Sequence, residues 1–394
     1  MIPVTIFRDH KRKYFRQKCH ARDARSLIGV SLIFPPDTGC TGMRKAIQHR
    51  EVVNVRKHIF SVIGALLMAG LCAMVVLSLT AGMQDGPKIL TYAEMNNLEG
   101  TVPGEMAKAF KEKTEELSGG TLIIDIQANG VLGSEDQLID NLLGGGNITD
   151  FTRISASALT QYGCRKAALL SIPYTFESDE HFYRFAESEL AQEILLEPRE
   201  LGLPLRGLCY AHEGFRNFFF KKEVRGIEDI KSMKLRVSSD PVMTGMVNDF
   251  GAYATPVAFT ELYSALSSGV VDGAEQPTAN YLSNAFPEVA PNLLLDEHTL
   301  GVVQIVMAEY RWAQLSEQEQ KWIMEAAQYA SQVASAKVDE ILRTTFATLR
   351  EKGVNIVDVE DKTPWKQACQ PTIDEHIRND RELYQKILDM GEEG

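Results

Sequence analysis

From Ile59 to Ala81 the chain runs for 23 residues without a charged side chain, directly after Arg56-Lys57-His58. A basic flank followed by an apolar stretch is a secretory signal or a signal anchor, and about 20 apolar residues suffice to cross a bilayer. Any large core must therefore come from the residues that follow, because those before the run are basic and poorly periodic. Residues 1–57 carry 13 Lys/Arg against 4 Asp/Glu, a net +9 in a chain whose formal total is −12, so the remainder is strongly acidic. The expected organisation is a basic extension over 1–58, not translated or not retained, and a signal peptide or membrane anchor over 59–81. Met43 or a nearby codon is the expected start, which a precursor peptide from residues 1–42 would refute. An acidic exported body excludes nucleic acid as a partner, since phosphate contacts need clustered Lys and Arg.

Beyond residue 87 strand-like and helix-like patterns alternate, which predicts an α/β fold with a largely parallel sheet. Lys88 to Ala93 begins the series as a strand. A helix is predicted over 103–117 and stopped by Ser118-Gly-Gly120, then a strand over 121–126 and a helix over 134–143 ended by Gly144-Gly-Gly146. Asp150-Phe-Thr, Leu205 to Tyr210, Phe218 to Val224, Lys234 to Val237 and Val302 to Met307 are predicted as separate strands. Helices are predicted over 241–250 and 260–267. Ser316-Glu-Gln-Glu319 forms a capping box, and near-helical spacing of apolar residues continues to Lys352-Gly353. Such a helix is on the order of 55 Å long at 1.5 Å per residue, long enough to lie across two lobes.

The catalytic signatures GxSxG, HExxH, GxxxxGK[ST] and GxGxxG are all absent from the sequence, so no enzyme activity and no cofactor are expected. No metal site is expected either, because the six cysteines show no CxxC and no zinc-type spacing. Cys164, Cys209 and Cys369, the three in the exported body, are predicted to be isolated apolar residues. His212-Glu213 suggests an acid/base pair, but neighbours on a strand point to opposite faces.

Arg236 is the sharper signal. It lies in an apolar strand with Leu235 and Val237, where a guanidinium is costly to bury without an anion. Its planar fork suits a carboxylate. If no acidic side chain supplies that carboxylate, a ligand does. Arg216 precedes it by 20 residues, and a stretch rich in Gly, Pro and aromatic residues, 251–277, follows.

These segments together resemble the extracytoplasmic solute-binding subunits of TRAP transporters, of the dicarboxylate-binding type that includes the sialic-acid binders. The resemblance is carried by Ile227-Glu-Asp-Ile-Lys-Ser-Met-Lys-Leu-Arg236-Val, Gly251-Ala-Tyr-Ala-Thr-Pro256 and Phe259-Thr-Glu-Leu-Tyr263-Ser-Ala-Leu. Ser268-Gly-Val-Val-Asp-Gly-Ala-Glu-Gln-Pro277, His298, Leu132-Gly133 and Ile172-Pro-Tyr-Thr-Phe176 extend it, over about 300 residues in all. It implies a two-lobed periplasmic-binding-protein-like fold with hinge strands and a long helix bridging both lobes. Lobe one is expected to take 88–213 plus 302–341, and lobe two 214–301 plus 342–394.

By the same resemblance Arg236 holds the ligand carboxylate, Arg216 in Gly214-Phe-Arg216 supports it, and Gln276 adds a polar contact. Asn96 matches a first-strand asparagine of the sialic-acid binders. Ser155 stands where those binders carry an acid, which makes sialic acid a poorer ligand, and Glu213 is suited to a cationic or hydroxylated group. The implied function is capture of a small organic acid outside the membrane and delivery to the small and large membrane subunits, without ATP. A ligand sensor feeding a signalling partner is the alternative. An exported enzyme using Glu213 or His212 is a weaker rival.

Overall fold

The structure, a computed structural model, describes residues 86–392 together with 61, 63–72 and 74. The expectations for residues 1–58 and for most of the apolar run lie outside these. Residues 63–72 are helical and exposed, and among the described residues no helix is long and apolar enough to cross a membrane.

One nine-stranded sheet organises the body. Its order is β2 (Leu122–Gln127), β1 (Lys88–Ala93), β3 (Phe151–Ser155), β8 (Asn292–Ala308), β4 (Leu205–Phe220), β7 (Gly273–Pro277), β5 (Lys234–Val237) and β6 (Tyr253–Pro256). β9 (Asn355–Asp358) pairs with β8. The outer pairs β1–β2, β1–β3, β5–β6, β5–β7 and β8–β9 are parallel, as alternating strands and helices require. The centre is not: β3–β8, β4–β8 and β4–β7 are antiparallel. The sheet is therefore mixed, two parallel groups joined through an antiparallel pair.

That pair is longer than the sequence pattern suggests. Leu205 to Tyr210 and Phe218 to Phe220 belong to a single 16-residue strand, β4, and Val302 to Met307 is the end of the 17-residue β8. Register shifts fall between Gly207 and Cys209, between His212 and Phe215, and between Arg216 and Phe218. Each shift breaks the two-residue alternation, so a continuous strand looks like two. At the middle shift Gly214 has φ +81°, a conformation that favours glycine. One end of the β4–β8 ribbon pairs with β3, the other with β7 and β9. It thus runs from one lobe into the other.

The long helix, Glu317–Glu351, starts at Ser316 with both bonds of its capping box formed. Its residues Ile323 to Val338 pack with Tyr92, Phe110 and Phe151 of the first lobe. Leu349, near its end, packs instead with Phe219, Leu262 and Tyr281. The helix accordingly spans both lobes. The C-terminal segment packs onto the body at two points: Thr372 donates through its amide and hydroxyl to Asp249 (3.0 and 2.6 Å), and His181 Nε2 bonds the Ile387 carbonyl (2.7 Å). Cys164, Cys209 and Cys369 are buried and free.

A buried cleft with one uncommitted arginine

The loops and strand ends around the ribbon's shifts form a narrow cleft lined by charged and amide side chains. All six residues singled out from the sequence, Asn96, Ser155, Glu213, Arg216, Arg236 and Gln276, line it. They arrive from β4, β5, β7, the end of β3 and the loop after β1.

Arg236 is placed by strand alternation. Leu235 and Val237 are fully buried in the lobe's apolar core, so the side chain between them turns to the opposite face. It is only 2% exposed. Its Nε donates to the Val257 carbonyl at 2.8 Å. Its Nη1 is buried with no hydrogen-bond partner, and no carboxylate forms an ion pair with it among the described residues. Burial lowers its pKa to about 10, with Glu275 partly offsetting that cost, so it remains cationic at neutral pH.

Arg216 lines the cleft, as its expected role requires, and is also ion-paired within the protein. It pairs with Glu275 on the neighbouring strand, Nε to Oε2 at 2.5 Å and Nη2 to Oε1 at 2.9 Å. Glu275 also lies 3.6 Å from His298 Nε2, and His298 Nδ1 contacts Asp296 Oδ2 at 2.8 Å. Burial alone would raise the Glu275 pKa, but Arg216 and His298 hold it down at about 2. Burial likewise disfavours the His298 imidazolium, and Asp296 and Glu275 overcome it, raising its pKa to about 9. Alternating charges Asp296, His298, Glu275 and Arg216 thus form a buried row behind the cleft. Arg216 is already matched to an acid, which leaves Arg236 as the open grip.

A second network went unnoticed in the sequence. Arg153 on β3 pairs with Glu94 (Nη2–Oε1 2.6 Å, Nε–Oε2 3.2 Å) and faces Glu213 Oε1 through Nη1 at 3.4 Å. Burial disfavours its charge; Glu94 and Glu213 more than restore it. Asn280 Nδ2 donates to Glu213 Oε2 at 2.6 Å. Asn96 donates its amide and Nδ2 to Glu94 Oε1 at 2.9 and 3.2 Å. The clue was the one that exposed Arg236: Arg153 sits between Thr152 and Ile154 in a strand, and Asp150, the nearest acid in sequence, pairs with Arg311 instead. Glu94, 59 residues away, supplies its anion.

Ser155 uses its amide to donate to Glu135 Oε1 at 2.7 Å. The carboxylate at this corner therefore comes from the helix Glu135–Leu143 rather than from β3. Gln276 lies opposite Asn217 in the β4–β7 register and is 5% exposed.

His212 and Glu213 point apart, as their adjacency on β4 requires. The His212 ring packs against Phe182 and Tyr183 on the far face, with Nε2 3.1 Å from the Tyr183 hydroxyl. Burial lowers its pKa to about 4. It is a neutral packed imidazole, remote from the cleft, and the acid/base dyad does not form.

Ser239 Oγ donates to Asp136 Oδ2 at 2.8 Å, and both residues line the cleft.

The chain is similar in sequence and fold to known proteins. A solute-binding protein of Roseobacter denitrificans is 30% identical over 275 residues, 69% of this chain and 83% of that protein. The crystal structure of a TRAP periplasmic solute-binding protein from the same organism, with bound L-galactonate, superposes with a TM-score of 0.71 at 28% identity. The match covers 78% of this chain and 99% of that one. A TRAP periplasmic solute-binding protein from Bradyrhizobium, in complex with D-galacturonate, gives a TM-score of 0.73 at 28% identity over 77% of this chain and 100% of its own. The family model for bacterial extracellular solute-binding proteins, family 7, matches residues 94–380. With that match across the body of the chain, this protein belongs to the family-7 bacterial extracellular solute-binding proteins.

Proposed function

We propose that this protein captures a small organic acid outside the cytoplasmic membrane and delivers it to the membrane subunits of a TRAP-type transporter, with Arg236 holding the ligand carboxylate. One observation carries the reading: a buried guanidinium with an unpartnered Nη1, in a cleft where Arg153 and Arg216 are both paired with acids. An orphaned buried donor costs about 1–3 kcal/mol, more when charged, and a carboxylate ligand removes that cost. Because Nε is bonded to Val257, the carboxylate meets the two terminal nitrogens end-on. The ligands of the two structural neighbours, galactonate and galacturonate, are both carboxylates, which supports the same role here. Their family is one of transport proteins, so transport is preferred to the sensor reading.

In this scheme lobe one comprises 88–213 with 302–341 and lobe two 214–301 with 342–394. Arg236 and Gln276 belong to lobe two and Asn96, Ser155 and Glu213 to lobe one, so a bound acid touches both. Ligand contacts to both lobes shift the population toward closure, and the cross-cleft bond from Ser239 to Asp136 adds to it. The β4–β8 ribbon supplies the hinge at its register shifts. Residues 59–81 serve as the export signal or anchor.

A thermal-shift screen of organic acids, with uncharged sugars as controls, tests the proposal. Stabilisation by at least one carboxylate, and by none of the uncharged sugars, is the expected result. Stabilisation by an uncharged sugar alone would overturn it.

A further inference from the structure

We infer that the cleft selects a polyhydroxylated monocarboxylate and rejects the matching dicarboxylate, with Glu213, Asn280 and Asn96 receiving the hydroxyl groups. The inference rests on the reading that Arg236 holds a carboxylate, and it concerns the other end of the ligand.

Two features of the cleft lead to it. The first is charge. Arg153 has Glu94 and Glu213 as partners, and Arg216 has Glu275. A second ligand carboxylate would have to approach one of these pairs, where an acid already holds the guanidinium and repels the newcomer. Among the cations lining the cleft, Arg236 is the one without an ion-pair partner among the described residues. One negative charge is therefore what the site can match.

The second feature is the identity of the unpartnered atoms. Oδ1 of Asn96 and Oδ1 of Asn280 are buried without a hydrogen-bond partner, and Oε1 of Glu213 has none beyond the 3.4 Å approach of Arg153 Nη1, on residues no more than 3% exposed that all line the cleft. All three atoms are acceptors. The amide orientations are set by the donors' bonds: each Nδ2 is directed to an acid, Asn96 to Glu94 and Asn280 to Glu213, so each Oδ1 faces away from it. Buried acceptors need donors. A carboxylate at neutral pH offers none, an alkyl chain offers none, and a row of hydroxyls offers several. An ammonium group would also donate, but Glu213 already faces Arg153 at 3.4 Å and Asn280 at 2.6 Å. A second cation beside Arg153 would meet like-charge repulsion, so neutral hydroxyls fit better.

Calorimetric titration of the full chain with galactonate and gluconate, each against its aldarate (galactarate, glucarate), compares ligands differing only in one terminal CH2OH or carboxylate. Hexanoate and 6-aminohexanoate complete the set. The expected result is that at least one aldonate binds a hundredfold or more tighter than its aldarate and than hexanoate. An aldarate within threefold of its aldonate, or hexanoate or 6-aminohexanoate within tenfold, would overturn the inference while leaving the carboxylate grip intact.

Glu213→Gln preserves shape but frees Arg153 from one acid. It is expected to weaken aldonate binding tenfold or more and to narrow the gap to the aldarate at least tenfold; an unchanged gap would count against the role given to Glu213. Asn96→Ala, at the opposite end of the same row, is expected to lose tenfold or more toward aldonates with little change toward hexanoate. The underlying reading fails separately: if aldonate binding survives Arg236→Met, or no acid binds at all, both the grip and the inference built on it fall.

Discussion

Replacing Arg236 with methionine should abolish ligand binding without weakening the ligand-free protein, a combination few buried residues would give. Methionine keeps much of the aliphatic stem and removes the charge. In the ligand-free protein burial lowers the arginine pKa from 12.5 to about 10, which corresponds to a cost to the fold of about 3 kcal/mol at neutral pH. The sign follows from the lowered value: the cost is fully present below the folded pKa and relieved as pH rises from about 10 toward 12.5. Removing the group therefore removes a penalty, partly offset by the lost bond to Val257, worth about 1 kcal/mol. The variant's ligand-free melting temperature should be unchanged or higher. With ligand the balance reverses. Two charge-assisted bonds contribute about 1.5–3 kcal/mol each, so their loss weakens binding about 10²–10⁴-fold. At a ligand concentration of about 100 wild-type Kd the wild type gains about 2.7 kcal/mol, a rise of several degrees, and the variant gains at most about 0.4 kcal/mol. Arg236→Lys should recover little, because a point charge cannot reproduce the planar fork. Wild-type affinity in the methionine variant, or a fall of several degrees in its ligand-free melting temperature, would refute the reasoning.

The remaining expectations concern the buried charges and the hinge. Glu275, with its pKa lowered to about 2, contributes stability that is present above its unfolded value near 4.5 and is lost as pH falls toward 2; urea unfolding between pH 5 and 2 should show that decline, and Glu275→Gln should flatten it while destabilising at pH 7 by about 3–5 kcal/mol. His298, raised to about 9, contributes stability that is full below about 6.5 and lost as pH climbs to about 9, so His298→Gln should remove the alkaline part of the stability profile. Gly214→Ala, at φ +81° and with Leu342 against the added carbon at 3.0 Å, should cost about 1–2 kcal/mol of stability in the same assay. Ser239→Ala breaks the exposed bond to Asp136 and should weaken ligand binding by no more than about fivefold, with scattering profiles shifted toward the open form; tighter binding would exclude a role in closure.

Much of the architecture was legible from local pattern. The strand–helix series, the helix Pro241–Asp249 and the 35-residue helix with its capping box all appear where periodicity and caps place them. The length of β4 was hidden, because three register shifts scramble its alternation. In the cleft, Arg236 was legible since Leu235 and Val237 on either side of it are apolar and no acid lies within its own strand. Arg153 carried the same signal and was overlooked.

By itself the sequence determined which residues are costly to bury and therefore need partners, because that cost belongs to the side chain and its strand. Tertiary structure alone decided which partners they meet. Glu275 reaches Arg216 across 59 residues, as Glu94 reaches Arg153, and those pairings commit both guanidinium groups to internal ion pairs. Separation of His212 from Glu213 was implied by strand geometry, yet the Phe182 and Tyr183 pocket that keeps His212 neutral comes from a distant helix. Arg236 stays uncommitted for a spatial reason: the fold brings it the Val257 carbonyl but, among the described residues, no carboxylate within ion-pair distance. Sequence spacing carries no information about such an absence, since it depends on where every acid in the chain comes to rest.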